Sequence, residues 1–155
     1  MDSWKLKFNH GKSPAGDNLV AIFIKATFEG NEMPFIFNID GWDEAIESNG
    51  KKPMFTCECG NFGCGGYFID VNHTAEGMKL INSYNPLEQS QLIEGFEYYI
   101  TWEDVYLIFK EVVDYIEEIS NKYKGYQVCI GTYGANLLNK INKYYRTIDK
   151  LKIRY

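Results

Sequence analysis

The chain has 155 residues, 45% of them hydrophobic and 16% aromatic, and a formal net charge of −5. A chain of this length forms one domain that buries about 70% of the surface its unfolded form exposes. The apolar content excludes a generally disordered chain, and no apolar stretch approaches the roughly 20 residues that span a bilayer.

The N-terminal residues alternate polar with apolar side chains and lack the apolar centre of a signal peptide. We therefore expect a cytoplasmic protein that does not enter a membrane and whose thiols stay reduced.

Charge is distributed unevenly along the chain. Residues 1–133 carry 10 lysines and 20 acidic residues, a net of −10, whereas residues 134–155 carry six basic residues against Asp149, a net of +5. A mostly acidic body disfavours nucleic acid as the partner, because phosphate contacts need clustered cations. It favours a basic protein partner, which opposite charge steers to the surface. Ordinary solubility is the alternative explanation.

The first half of the chain predicts strands. Residues 19–28 are rich in β-branched and aromatic side chains and are followed by a turn signal at 29–31. A single helical turn is expected at 41–46. Further strands are predicted at 33–39, 53–59, 66–73, 79–84 and 96–100.

The clearest element is a helix over residues 101–123. Thr101 and Asp104 have the spacing of a helix-capping pair, and Gly125 is placed to end the helix. Apolar residues at 105, 108, 109, 112, 116 and 119 fall within a stripe about 100° wide, as in a helix that lies on a core.

The opposite face of this helix is acidic. Its carboxylates share one sign, which favours a binding surface because a purely solvating face usually mixes signs; solvation alone is the alternative. We expect Trp102 or Phe62 to anchor a partner there. The predicted binding residues are Glu103, Asp104, Glu111, Asp114, Glu117 and Glu118.

A short strand at 126–132 and a second amphipathic helix at 136–151, capped by Asn136, complete the predicted elements. The second helix has a basic face, which either offsets the acidic body or contacts nucleic acid. That face consists of Lys140, Lys143, Arg146 and Lys150. The predicted fold is α+β, with one domain over 1–155. An antiparallel sheet of five to seven strands carries the long helix on one face, and the C-terminal helix packs against it.

Residues 57–66 contain three of the four cysteines and four glycines. The favoured interpretation is a sharp turn in which the cysteines are small buried hydrophobic groups. A zinc site is the alternative, although separations of one and four residues differ from the usual two-residue knuckle. A third interpretation is a reactive thiol, with Cys64 as the nucleophile and His73 as its base. The candidate zinc ligands are Cys57, Cys59 and Cys64, with Cys129 or His73 as the fourth.

Two other polar segments carry weaker signals. His10-Gly11-Lys12-Ser13 contains Gly-Lys-Ser but lacks the upstream glycine of a phosphate loop, so a polar loop is expected. Asp40, Asp43 and Glu44 surround Trp42 and are expected on a solvated turn.

The segment Cys59-Gly60-x-x-Gly63-Cys64-Gly65-Gly66-Tyr67, a strand to Val71, and Phe96-x-Tyr98-x-Ile100-x-Trp102-x-x-Val105 at a helix start resemble small uncharacterised bacterial proteins. Some of those proteins are encoded near polymorphic toxins. The resemblance covers the central third of the chain and implies an immunity-type protein; it identifies no catalytic residues in this sequence. The leading hypothesis is a non-enzymatic module that sequesters a protein partner, such as a basic toxin. It is based on the acidic body, the acidic helix face, the aromatic content and the lack of a catalytic constellation in the sequence. The rival hypothesis is a small zinc-binding or thiol-dependent protein built on residues 57–66.

Overall fold

The computed structural model describes residues 4–12, 18–59, 66–84, 97–132 and 134–154. Within these residues the chain forms eight strands, three α-helices and one 3₁₀ turn. In chain order they are β1 (Trp4–Lys12), β2 (Leu19–Phe28), β3 (Asn31–Phe37), α1 (Ile39–Glu47), β4 (Gly50–Thr56), β5 (Gly66–His73), β6 (Gly77–Tyr84), β7 (Tyr98–Thr101), α2 (Trp102–Lys122), β8 (Gln127–Ile130), the 3₁₀ turn (Leu137–Lys140) and α3 (Ile141–Arg154).

The eight strands form one mostly antiparallel sheet, which confirms the predicted α+β class. Strands β1 to β7 pair in sequence order. Strand β2 has a divided edge: its first half pairs in parallel with β8, and its second half pairs with β3. The C-terminal part of the chain thereby returns to the sheet beside β2, next to the edge strand β1.

The sheet has one strand more than the upper limit expected from sequence, and β1 is the strand that was not predicted. Residues 10–12, expected in a polar loop, are the end of this strand. Its alternation turns Trp4, Leu6 and Phe8 toward the core and leaves the intervening lysines exposed. Pairing with all but the first residue of β2 holds this segment extended.

Helix α1 is joined to the sheet by aromatic packing. Trp42 is fully buried and stacks on Phe37, with ring centroids 4.7 Å apart, while Trp4 meets it edge-on at 5.6 Å. Gly41 lies so close to β4 that an added Cβ would sit 2.0 Å from the carbonyl oxygen of Pro53. The sequence prediction of one solvated turn was therefore wrong, because aromatic packing and close contact with β4 make this segment a nine-residue helix against the core.

Helix α2 has the boundaries that its caps predict. The Thr101 hydroxyl accepts a hydrogen bond from the Asp104 amide at 3.1 Å, and the helix ends at Lys122, shortly before Gly125 at φ +83°. All six residues of the predicted apolar stripe are buried. The helix therefore presents its opposite side to solvent.

The second predicted helix is the 3₁₀ turn followed by α3. Asn136 caps this segment, since its side-chain oxygen accepts a hydrogen bond from the Leu138 amide at 3.2 Å. Helix α3 runs antiparallel to α2: Tyr145 contacts Glu117, and Arg154 lies over the Trp102 ring at 4.3 Å. This packing confirms the expected contact between the two helices.

A ladder of ion pairs joins α1 to the 3₁₀ turn and α3. Lys140 lies 2.8 Å from Asp40, Lys143 lies 2.9 Å from Asp43, and Lys150 lies 2.8 Å from Glu47. The residue numbers of the acidic and the basic partners increase in the same direction along the ladder, so α1 and α3 run parallel. Three of the four residues of the predicted basic face are therefore engaged within the molecule.

Asp43 is the buried centre of this ladder. Its side chain is 1% exposed, and it accepts a hydrogen bond from the buried Thr147 hydroxyl in addition to the Lys143 pair. Beside it, Tyr144 donates a hydrogen bond to Asp40 at 2.8 Å. Burial, reinforced by the Asp40 carboxylate, raises the pKa of Tyr144, so the phenol keeps the proton that it donates. The prediction that Asp40 and Asp43 lie on a solvated turn is corrected, because an ionised carboxylate can be buried where such partners compensate it.

We expect Lys143→Met to destabilise the protein much more than Lys150→Met. Removing Lys143 leaves the buried Asp43 carboxylate without its counter-ion, which costs about 3 kcal/mol. Lys150 pairs with the half-exposed Glu47, and loss of such a pair costs under about 1 kcal/mol. Urea unfolding of the two variants measures the difference. Equal destabilisation would show that burial of Asp43 does not control the ladder.

We expect Gly41→Ala to lower the free energy of unfolding by at least about 2 kcal/mol, although alanine is the better helix former. The added Cβ would overlap the Pro53 carbonyl and displace α1 from β4. Gly11→Ala is the matched control, since no atom of the described residues lies within 4 Å of its added Cβ. Its effect should stay within about 0.5 kcal/mol in the same unfolding measurement. A neutral Gly41→Ala variant would contradict the close packing.

Candidate functional site

The outward side of α2 carries the six carboxylates predicted from sequence, and we call this surface the acidic face. At about 100° per residue the six positions span an arc of about 140°, opposite the buried stripe. Glu103, Glu111, Asp114 and Glu118 are exposed, and Asp104 and Glu117 are half-buried. Helix α2 thus brings together all six predicted acidic residues.

The sequence predicts a face whose charges are all negative. The structure corrects this prediction, because the acidic face also carries positive charge. Lys110 lies on the same side of the helix, and its ammonium is 2.9 Å from the Asp114 carboxylate. The hydrogen bond to Asp114 raises the pKa of Lys110, which stays charged. The exposed Lys122, one turn after Glu118, falls at the edge of the same arc. Two ammonium groups against six carboxylates leave the face negative.

Leu107 lies at the centre of the acidic face and is 40% exposed. Helical spacing places Glu103 and Asp104 one turn before it and Glu111 one turn after it. An apolar centre inside a polar rim is the usual arrangement of a protein-binding surface. Sequence reasoning missed Leu107, although its angular position outside the buried stripe was a usable signal.

Trp102, the anchor expected from sequence, does not lie on this surface. The residue is only 4% exposed, its indole N–H donates to the Thr74 carbonyl at 3.1 Å, and the Arg154 guanidinium covers its ring. The tryptophan anchors the start of α2 to the rest of the fold. Phe62, the other expected anchor, lies outside the described residues.

The carboxylates of the acidic face influence one another. Partial burial, together with repulsion from Asp114, raises the pKa of Glu111 above its ordinary value. Glu111 therefore takes up a proton at a higher pH than an isolated glutamate would. Because protonation removes a negative charge, attraction for a cation weakens as the pH falls through that raised pKa.

A groove adjoins the acidic face, between the C-terminal half of α2 and the start of α3, and has a volume of about 270 Å³. Tyr145 donates a hydrogen bond across it to the Glu117 Oε1 atom. This bond raises the pKa of Tyr145, so the hydroxyl remains a donor. The lining residues are Glu117, Ser120, Asn121, Leu138, Ile141 and Tyr145.

The proposed zinc ligands are only partly described. Cys57 and Cys59 are half-buried, Cys129 is buried, and Cys64 lies outside the described residues. Burial raises the pKa of Cys129, which favours the protonated thiol over the thiolate that binds metal. Among the residues with described positions, no three His, Cys, Asp or Glu side chains form a ligand cluster.

His73 and Cys129 face opposite sides of the sheet. The His73 Nε2 atom donates to the Ala45 carbonyl of α1 at 2.6 Å, on the helix side. Cys129 pairs with Ala21, and both alternate with neighbours of the main core, so they face the other side. The two alternatives for a fourth ligand therefore belong to different surfaces.

None of the described helices is both long enough and apolar enough to cross a bilayer.

Comparison with known proteins yields no match: no protein-family model fits the chain, and no curated protein or solved structure is detectably similar to it.

We expect Asp114→Asn to lower the pKa of Glu111, because it removes the repelling charge and frees Lys110 to favour the ionised carboxylate. Asp104→Asn is the matched control, two turns away, and should leave that pKa nearly unchanged. Carbon-detected NMR titration of the glutamate carboxyl groups measures both variants. An unchanged or higher pKa in Asp114→Asn would refute the electrostatic coupling within the acidic face.

Proposed function

We propose that the protein is a non-enzymatic binding module whose acidic face holds a cationic protein partner. The observation that carries this proposal is Leu107, an exposed apolar side chain among carboxylates on a helix fixed to the core. Opposite charge draws the partner to this surface, and burial of the leucine under it supplies the desolvated centre that slows dissociation.

The rigidity of α2 supports this proposal. Its 21 residues are fixed by eight buried side chains and by the cap at Thr101. A helix that is already ordered loses little conformational entropy when a partner binds, so more of the contact energy appears as affinity. The surface is therefore prepared before the partner arrives.

The internal pairing of other polar groups also favours recognition over catalysis. The carboxylates of Asp40, Asp43 and Glu47 pair with lysines of the 3₁₀ turn and α3, and the His73 imidazole bonds to a backbone carbonyl. In contrast, five of the six carboxylates on α2 make no ion pair within the described part of the chain. This contrast supports α2 as a charged surface available to a partner.

The specific form of the proposal is an immunity-type protein that sequesters a basic toxin in the bacterial cytoplasm. It is based on the resemblance of the central third of the sequence and on the negative charge of the acidic face. An acidic binding protein attracts a basic toxin at a high rate, which favours capture before the toxin reaches its target.

The test begins by trapping the partner. A photo-reactive amino acid at position 107, expressed in the native cells, should cross-link one predominant basic protein. That protein is then purified for kinetic measurements with two triple variants of equal net charge. One variant reverses the acidic face (Glu103→Lys, Glu111→Lys, Glu118→Lys). The control reverses exposed carboxylates elsewhere (Glu32→Lys, Glu76→Lys, Glu97→Lys).

We expect the acidic-face variant to weaken the equilibrium affinity at least tenfold and to flatten the dependence of association on salt. The control should change the affinity by less than about threefold, because charges outside the direct contact contribute little. Leu107→Ala should act mainly by speeding dissociation. Equal effects of the two triple variants, or no effect of either, would show that α2 is not the binding surface.

A further inference from the structure

We propose that the groove between α2 and α3 is a specific site for one arginine side chain of the partner. This inference rests on the proposed function, because it assumes that a cationic protein covers the acidic face. It goes further by assigning a distinct residue type to a distinct site. Three properties of the groove support this assignment: its position, its size and its chemistry.

The groove continues the acidic face without a gap. Glu117 belongs to both surfaces, and Asn121 lies one turn after it along α2. A protein seated on Leu107 therefore has the groove at its margin, about two to three helical turns toward the C-terminus. A side chain that projects from such a protein can enter the groove while the main contact stays on α2.

The size of the groove suits a single side chain. Its volume of about 270 Å³ falls just below the range of roughly 300–1,000 Å³ that is usual for small-molecule sites. The half-buried Leu138 and Ile141 form an apolar wall that packs on the core. That wall matches the methylene stem of a long basic residue, which buries its stem while its charged end remains near polar groups.

The polar groups of the groove favour arginine. Glu117 uses Oε1 to accept from Tyr145 and has Oε2 for a second donor. Ser120 and Asn121 add further acceptors on the same helix. A guanidinium presents five donors in one plane and stacks on aromatic rings, and Tyr145 offers a ring that is 40% exposed. The ammonium of lysine is compact and strongly hydrated, so it uses this arrangement less completely.

Other occupants fit the groove poorly. An anionic group would be repelled by Glu117. An apolar side chain would take water away from that carboxylate without providing a counter-charge, which is unfavourable. The Tyr145 bond keeps Glu117 directed across the groove in the free protein, so the site needs little rearrangement to receive a guanidinium.

The test uses a minimal probe, N-acetyl-arginine methylamide, titrated into ¹⁵N-labelled protein and followed by NMR. The lysine and citrulline analogues serve as matched probes, since the first changes the shape of the cation and the second removes its charge. We expect saturable shifts confined to the amides of residues 117–121 and 138–145. Arginine should bind at least threefold more tightly than lysine, and citrulline should show no saturation.

Variants of the groove residues then identify the side chains that bind the arginine probe. Glu117→Gln keeps the shape of the side chain and should weaken arginine binding at least fivefold, and Tyr145→Ala should weaken it similarly by removing the ring. Glu32→Gln, an equal change at an exposed site on β3, should leave binding unchanged. Shifts spread along the whole of α2, no saturation, or equal binding of arginine and citrulline would overturn the inference.

The outcome is separable from the test of the proposed function. If the acidic-face variants lose the partner but the groove does not select arginine, the groove assignment is wrong and the binding surface stands. If arginine binds as expected but the acidic-face variants keep the partner, the groove is a guanidinium site and the proposed docking of a protein on α2 is wrong.

Discussion

The buried carboxylate of Asp43 imposes the constraint on which the arrangement of the helices depends. A carboxylate this deeply enclosed must be either neutral or compensated. Lys143 and Thr147 compensate it from α3, and the flanking Asp40 and Glu47 pairs continue the contact along both helices. The position of α3 is therefore determined by a charge on α1, while its other side packs against α2.

This pairing has a consequence for the surface of the molecule. The C-terminal segment carries most of the excess positive charge, and it directs three lysines to α1, one from the 3₁₀ turn and two from α3. Toward α2 it presents Tyr145, a neutral donor that bonds to Glu117 without cancelling its charge. It also presents Arg154, whose guanidinium lies over the Trp102 ring at the start of the helix. The acidic face keeps its negative potential although a basic helix lies beside it. Charge separation within the fold thus prepares α2 for a cationic partner and leaves Glu117 able to bind a guanidinium.

The elements specified by local sequence could be predicted, and those specified by distant contacts could not. Helix α2 and strand β2 follow from periodicity, capping and composition, which act over a few residues. The α1–α3 ladder joins residues about 100 positions apart, so nothing local indicated that Asp43 is buried. The residues of the candidate site also differ in whether local sequence or distant contacts specify their positions. The acidic residues follow from helical spacing, whereas the burial of Trp102 depends on Thr74 and Arg154, and the groove depends on the packing of α3.

A double-mutant cycle measures most directly whether the lysines of α3 act on α1 rather than on α2. Lys143→Met is combined with Asp43→Asn in one cycle and with Glu117→Gln in another, and the free energies of unfolding give the pairwise coupling. The account predicts a coupling of about 1–3 kcal/mol between Lys143 and Asp43 and additivity within about 0.5 kcal/mol between Lys143 and Glu117. A coupling to Glu117 as large as that to Asp43 would contradict it, because α3 would then neutralise the surface that we propose binds the partner.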